Sequence, residues 1–194
     1  MKKYLWLLLF LIPVSVSAQD TAYPWQLSAF GGGVSLCDEA GCFGTTGYTF
    51  GASFGRHFTD RWSFELDGAY ARSTETLAPR FDLVTGQLFI PELERSRIWG
   101  GGTFLASVAH LGSSSDFFIS LGIVGAYEQQ VEKTPEGIFH APTKDIGIKG
   151  GVSGGAGMNL WFSESWGVRP EIRFYACPSP LSGLRYTAGL IKKF

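Results

Sequence analysis

Apolar and polar residues alternate one for one through eight separate stretches between Trp25 and Phe194, and a period of two is the mark of a strand with two unlike faces. The stretches are 25–35, 48–58, 62–73, 98–109, 117–128, 145–162, 166–176 and 184–194. In the second, Tyr48, Phe50, Ala52, Phe54 and Phe58 oppose Thr49, Gly51, Ser53, Gly55 and His57. In the third, Trp62, Phe64, Leu66 and Tyr70 oppose Ser63, Glu65, Asp67 and Ala69. In the sixth, Ile146, Ile148, Val152, Ala156 and Met158 oppose Lys149, Ser153, Gly155 and Asn159. In the seventh, Trp166, Val168, Ile172 and Phe174 oppose Arg169, Glu171, Arg173 and Tyr175. The fourth has two possible phases, Phe104, Ala106 and Val108 against Trp99, Leu105 and Leu111. Glycine, 26 of 194 residues, is scattered through these stretches and argues against helix interiors.

The connections decide how eight such strands close. Residues 59–61, 111–116 and 163–165 are short links, whereas 36–47, 74–97, 129–144 and 177–183 are mostly longer. Tight turns on one side and longer loops on the other belong to an up-and-down transmembrane β-barrel. Aromatic placement agrees. Trp25, Phe58, Trp62, Phe117, Phe162, Trp166 and Phe194 fall at the short-turn ends, and Tyr48, Tyr70, Trp99, Tyr127, Phe174 and Tyr186 toward the long-loop ends. Two aromatic rings bounding an apolar band are the girdles of a membrane barrel, and a soluble β-sandwich has no reason to sort its aromatics this way. The expected fold is therefore all-β, an eight-stranded antiparallel barrel.

Residues 1–18 read as a signal peptide: Lys2 and Lys3, an apolar run from Tyr4 to Val14, then Val16-Ser17-Ala18 before Gln19. The expected division is a cleaved leader over 1–18 and one barrel domain over 19–194. Removing the leader takes two lysines and no acid, leaving 14 bases against 17 acids. That balance offers no basic footprint for nucleic acid. With 45% hydrophobic and 15% aromatic residues the chain is also too apolar for disorder.

An eight-stranded barrel is filled by its own side chains, and buried charges survive only when paired. The inward faces are thus expected to hold a salt-bridge network of His57, Glu65, Asp67, Lys149, Arg169, Glu171 and Arg173, with glycines such as Gly51, Gly55, Gly151 and Gly155 leaving room for long side chains. A proton or ion path is the functional alternative. Phe81 to Ile90 reads as a hairpin, and Leu83, Leu88, Phe89 and Ile90 form a candidate interaction patch on it. Cys37 and Cys42 are a candidate loop disulfide, with free thiols the equal alternative and Cys177 left over. They lack a histidine at metal-ligand spacing. Of the histidines only His140 lies in a long loop; with Asp145 and Ser182 it is the weak enzymatic alternative. No cofactor and no metal is expected, and the chain is read as a non-enzyme.

With these residues in hand, the chain resembles the small eight-stranded outer-membrane barrels of the OmpA and OmpX type. The Phe58-Thr59-Asp60-Arg61-Trp62 turn and the C-terminus carry the resemblance. Such barrels end in an aromatic with apolar residues alternating back from it. Phe194, Leu190 and Tyr186 fit; Lys192 departs. The resemblance implies location in the outer membrane of a Gram-negative bacterium, short turns toward the periplasm, and contact with outer-membrane lipid and lipopolysaccharide. It implies insertion by the barrel-assembly machinery, which reads that last strand, and a monomer whose loops meet an unidentified extracellular ligand. The function so implied is surface interaction, adhesion or envelope integrity. The alternatives are a lipid A-modifying enzyme or a subunit of a secretion or gliding apparatus.

Overall fold

In a bilayer, strands with an apolar outer face and a small or polar inner face can satisfy every backbone group only by closing on themselves. The computed structural model, which describes residues 24–38, 41–81, 86–111, 114–133, 143–178 and 180–194, shows that closure. The strands are β1 (Trp25–Asp38), β2 (Gly41–His57), β3 (Trp62–Thr76), β4 (Arg80–Phe81), β5 (Leu88–Phe89), β6 (Glu92–His110), β7 (Ser115–Lys133), β8 (Lys144–Trp161), β9 (Trp166–Ala176) and β10 (Gly183–Lys193). Eight form a closed barrel in the order β1-β10-β9-β8-β7-β6-β3-β2, antiparallel at every pair, and β4-β5 is a separate hairpin. The proposed leader and residues 19–23 lie outside the described residues.

Register fixes the barrel's shape. Stepping from Gln26 to Gly55, Glu65, Thr103, Gly122, Ser153, Tyr175 and Gly183 returns to β1 at Leu36, a stagger of ten residues. Eight strands with that stagger tilt by roughly 40°. The apolar faces point outward: Leu66, Leu121, Ile123 and Ile172 are each more than half exposed. Trp62 and Tyr70 then lie roughly 20 Å apart in height, close to the ~25 Å apolar band of an outer-membrane barrel.

Two short turns share one local design. Phe58 and Thr59 donate their N–H to Trp62 O, and the Thr59 hydroxyl accepts from Arg61 N and Trp62 N. Phe162 and Ser163 donate to Trp166 O, and the Ser163 hydroxyl accepts from Trp166 N. A hydroxyl that satisfies the turn's own amides explains why Thr or Ser stands there.

The strands overrun the sequence boundaries at the long-loop end. β3 continues to Thr76, β6 begins at Glu92 and β7 runs to Lys133, so pairing extends roughly 15 Å beyond the apolar band. Above the band both faces are polar, so no alternation marks those residues as strand. β6 also settles its phase: Trp99 and Leu105 are buried while Phe104 and Val108 are half exposed. Trp99 therefore belongs to the interior and not to the upper girdle. A bulge at Gly147, with φ of +72°, turns Ile146 toward the core, out of phase with Ile148.

Candidate functional site

The interior is layered. Nearest the short turns, Glu65 accepts from Gln26, from the Ser53 hydroxyl at 3.1 Å and from Arg169 at 2.6 Å. Arg169 also donates to Asn159 at 2.7 Å, and Gln26 reaches His57 at 2.8 Å. Gly55 makes this layer possible, because a Cβ there would sit 2.5 Å from Glu65 Cγ. One layer up, Arg173 pairs with Asp67 at 3.0 Å and with Glu171 at 2.5 Å. Arg185 faces the same two carboxylates at 3.7 and 3.8 Å and lies over the Phe30 and Tyr175 rings at 4.3 and 5.4 Å. The buried ions among the described residues are five arginines against four carboxylates, and Arg185 shares its two carboxylates with Arg173 at longer range while resting on aromatic faces.

An apolar layer closes the barrel above them. Trp99 and Tyr175 stack with ring centroids 4.6 Å apart, packed with Val34, Leu36 and Leu181. Leu181 comes from the β9–β10 connection, which folds inward. Two arginines hold it there. Arg97 donates to Pro180 O and Ser182 O, both at 2.7 Å, and Arg95 donates to Pro180 O at 3.4 Å. Glu128 anchors both guanidinium groups, Arg95 at 3.0 Å and Arg97 by two bonds, and it also accepts from Gln130. All three ions are almost fully buried.

The sequence reading finds Glu65, Asp67, Arg169, Glu171 and Arg173 in one connected interior, with His57 at its lower edge. Lys149 is a correction. It is exposed and makes no ion pair with any described residue. β8 pairs with β9 only from Val152 downward, so at Lys149 the wall is open to solvent. Gln26, Arg95, Arg97, Glu128 and Arg185 were missed. Arg185 was legible, since it alternates with Leu184 and Tyr186. Arg95 and Arg97 lie where no alternation exists.

At the rim, Leu88 and Ile90 are exposed and Phe89 is partly covered; Leu83 lies outside the described residues. Cys37 is disulfide-bonded and Cys177 is a buried free thiol. The Cys42 side chain and all of His140 lie outside the described residues. Asp145 accepts from the Tyr127 hydroxyl and from Gly147 N, which caps the bulge, and the Ser182 hydroxyl bonds the Cys177 backbone. Both side chains serve local structure. The C-terminal residues Tyr186, Leu190 and Phe194 are exposed on the outer wall. No cluster of metal-ligating side chains occurs among the described residues.

No family model and no curated protein matches the sequence. Solved structures do match. Neisserial surface protein A aligns over 88% of this chain and 97% of its own, with 11% identity and a TM-score of 0.61. Ail of Yersinia pestis, in complex with the heparin analogue sucrose octasulfate, aligns over 89% and 99%, with 10% identity and a TM-score of 0.57. The N-terminal barrel domain of Pseudomonas aeruginosa OprF aligns over 89% and 98%, with 14% identity and a TM-score of 0.53. The apolar outer band, the short turns on one end and these alignments agree: the chain has the fold of the small eight-stranded outer-membrane β-barrels, the OmpA and OmpX type.

Proposed function

We propose that the chain is exported through its 1–18 leader and sits in the outer membrane as a monomeric, closed barrel that presents its loop-side strands for surface interaction. The observation that carries this reading is the asymmetry of the two ends. The short turns end at the apolar band, while β3, β6, β7 and β8 stand well above it as a four-stranded wall. The interior beneath is filled by paired ions and the Trp99–Tyr175 layer, which supports display over conduction. β8 adds a free edge over 144–151 among the described residues, and a free edge can receive an added strand.

The charge of that wall constrains the partner. By sequence, segments 72–94 and 132–149 carry seven acids against five bases, and Asp38 and Glu39 add two more acids; among the described residues of the two segments the balance is five against five, so the acidic excess comes from the rest of the loop sequence. Ail's solved ligand is a sulfated sugar; this acidic rim favours a cationic or neutral partner. Lipopolysaccharide surrounds the outer half of the band, and the assembly machinery reads Tyr186, Leu190 and Phe194. The Cys37–Cys42 bridge belongs to the same display, tying the tip of the β1–β2 hairpin.

The test is a heat-modifiability gel of the outer-membrane fraction together with protease digestion of whole cells. The expected result is a boiling-dependent mobility shift, with cuts confined to residues 74–97 and 129–144. A soluble periplasmic protein without a shift refutes the reading.

A further inference from the structure

The short-turn end carries a feature that surface display does not use. On the outer wall, Trp25, Phe54, Phe58, Phe64 and Leu66 line an apolar groove of about 240 Å³, and Arg56 stands at its lip. Trp25 stacks on Phe54 at 5.2 Å, and the Arg56 guanidinium lies over the Trp25 ring at 5.1 Å. Trp25 pairs with Arg56 in register, and the next outward residue of β1, Leu27, lies between Phe54 on one side and Lys192 on the other. Lys192, the residue that breaks the C-terminal alternation, sits over Trp166 at 5.0 Å. Arg56 and Lys192 are exposed, and neither forms an ion pair with a described residue.

We propose that this groove is a binding site for an anionic phospholipid of the periplasmic leaflet. One acyl chain lies along Phe54, Phe64 and Leu66, and the headgroup phosphate meets Arg56, with Lys192 adding charge on the far side of β1. The chemistry selects that occupant. The groove is apolar along the wall and cationic only at the girdle, which matches a lipid with its chain in the band and its charge at the interface. A zwitterionic headgroup would leave both cations without net compensation. Cations seated on indole faces stay at the interface, which fixes the height of the phosphate. The site accounts for Lys192 in a strand that otherwise alternates apolar residues outward.

The inference rests on the membrane reading above, and one experiment separates the two. The mature chain is folded into bilayer discs of phosphatidylcholine with an equal share of phosphatidylglycerol, and retained lipid is read by native mass spectrometry. The expected result is one retained phosphatidylglycerol, enriched about fivefold over phosphatidylcholine for each cation engaged. Arg56→Gln removes about fivefold of that preference. Leu66→Trp, which fills the groove, lowers retention of both lipids while the heat-dependent gel shift persists. Lys144→Gln, at the opposite end, changes nothing. Equal retention of the two lipids, an unchanged preference in Arg56→Gln, or an equal loss in Lys144→Gln overturns the site while leaving the barrel intact. Failure of the chain to insert overturns the membrane reading, and the site with it.

Discussion

Glu128 is the residue on which the upper interior depends, and replacing it tests the layered account. Its two oxygens receive Arg95, Arg97 and Gln130, and both guanidinium groups are nearly inaccessible to solvent. Glu128→Gln keeps the shape and removes the charge, so two cations remain buried without their counter-ion. Removing one partner of a buried ion pair costs about 3–5 kcal/mol. The lower end applies here, because Arg97 keeps its carbonyl bonds to Pro180 and Ser182 and its contact with the Trp99 ring. A loss of about 3 kcal/mol moves a urea midpoint by roughly 1–2 M, with no change of slope. The assay is reversible urea unfolding of the mature barrel in vesicles, followed by tryptophan fluorescence and by the gel shift. Glu132→Gln is the control: its partner Arg80 is half exposed at 2.7 Å, and such pairs contribute at most about 1 kcal/mol. The double variant Glu128→Gln with Arg97→Met recovers part of the loss, since it removes one stranded charge. Equal midpoints for Glu128→Gln and Glu132→Gln would refute the claim that this ion triad holds the β9–β10 connection in place.

Three further outcomes are expected. Glu94 bonds Arg72 at 2.6 Å and Lys133 at 2.5 Å, and these bonds hold its carboxyl below the usual range. Its stabilising contribution is therefore full above the ordinary carboxylate pKa and is lost as pH falls through the lowered folded value, so the amides of 92–96 and 129–133 lose protection relative to their intrinsic exchange rates over that fall, and Glu94→Gln flattens the dependence. Cys177 is buried, so a maleimide labels no thiol in the folded barrel and one in denaturant without reductant; three labelled thiols would refute the proposed Cys37–Cys42 bridge. The acidic rim predicts no retention on a heparin column at physiological salt, and retention that elutes with rising salt would overturn the charge reading of the partner.

Legibility in the sequence followed the membrane. Within the apolar band a residue faces either lipid or the packed interior, so Phe50, Leu66, Ile123 and Ile172 announce their phase, and their opposite neighbours Glu65, Asp67 and Arg173 follow. Alternation bounds β9 at Trp166 and Ala176, its observed limits. Above the band the same backbone meets water on both faces, the alternation stops, and 92–97 reads as loop although it is strand. The Arg95–Arg97–Glu128 triad lies in that silent region, which is why it was not found. β6 hid its phase for a different reason: Trp99 is large and apolar yet faces inward, opposite Phe104 and Val108, so both faces look alike. Lys149 failed because a phase assigns a direction and not a neighbour. It has the inward phase, but the strand that would cover it, β9, ends below it at Ala176.

The seam of the wall joins the first described strand to the last. Trp25 and Phe194 exchange backbone hydrogen bonds in both directions, and β1 pairs with β10 from Gln26 to Leu36. Closing the chain from Trp25 to Phe194 carries an entropic cost that the seven intervening strand pairs lower once they form, and contacts so distant in sequence make folding slow. Until β10 is in place, β1 and β9 are both open edges, each able to pair with another chain. Synthesis supplies the closing strand last, so a chain in which β10 has not yet paired carries two adhesive edges unless it is kept extended. The longer closure takes, the longer those edges stay exposed, so the delay acts on yield alongside the final stability of the barrel.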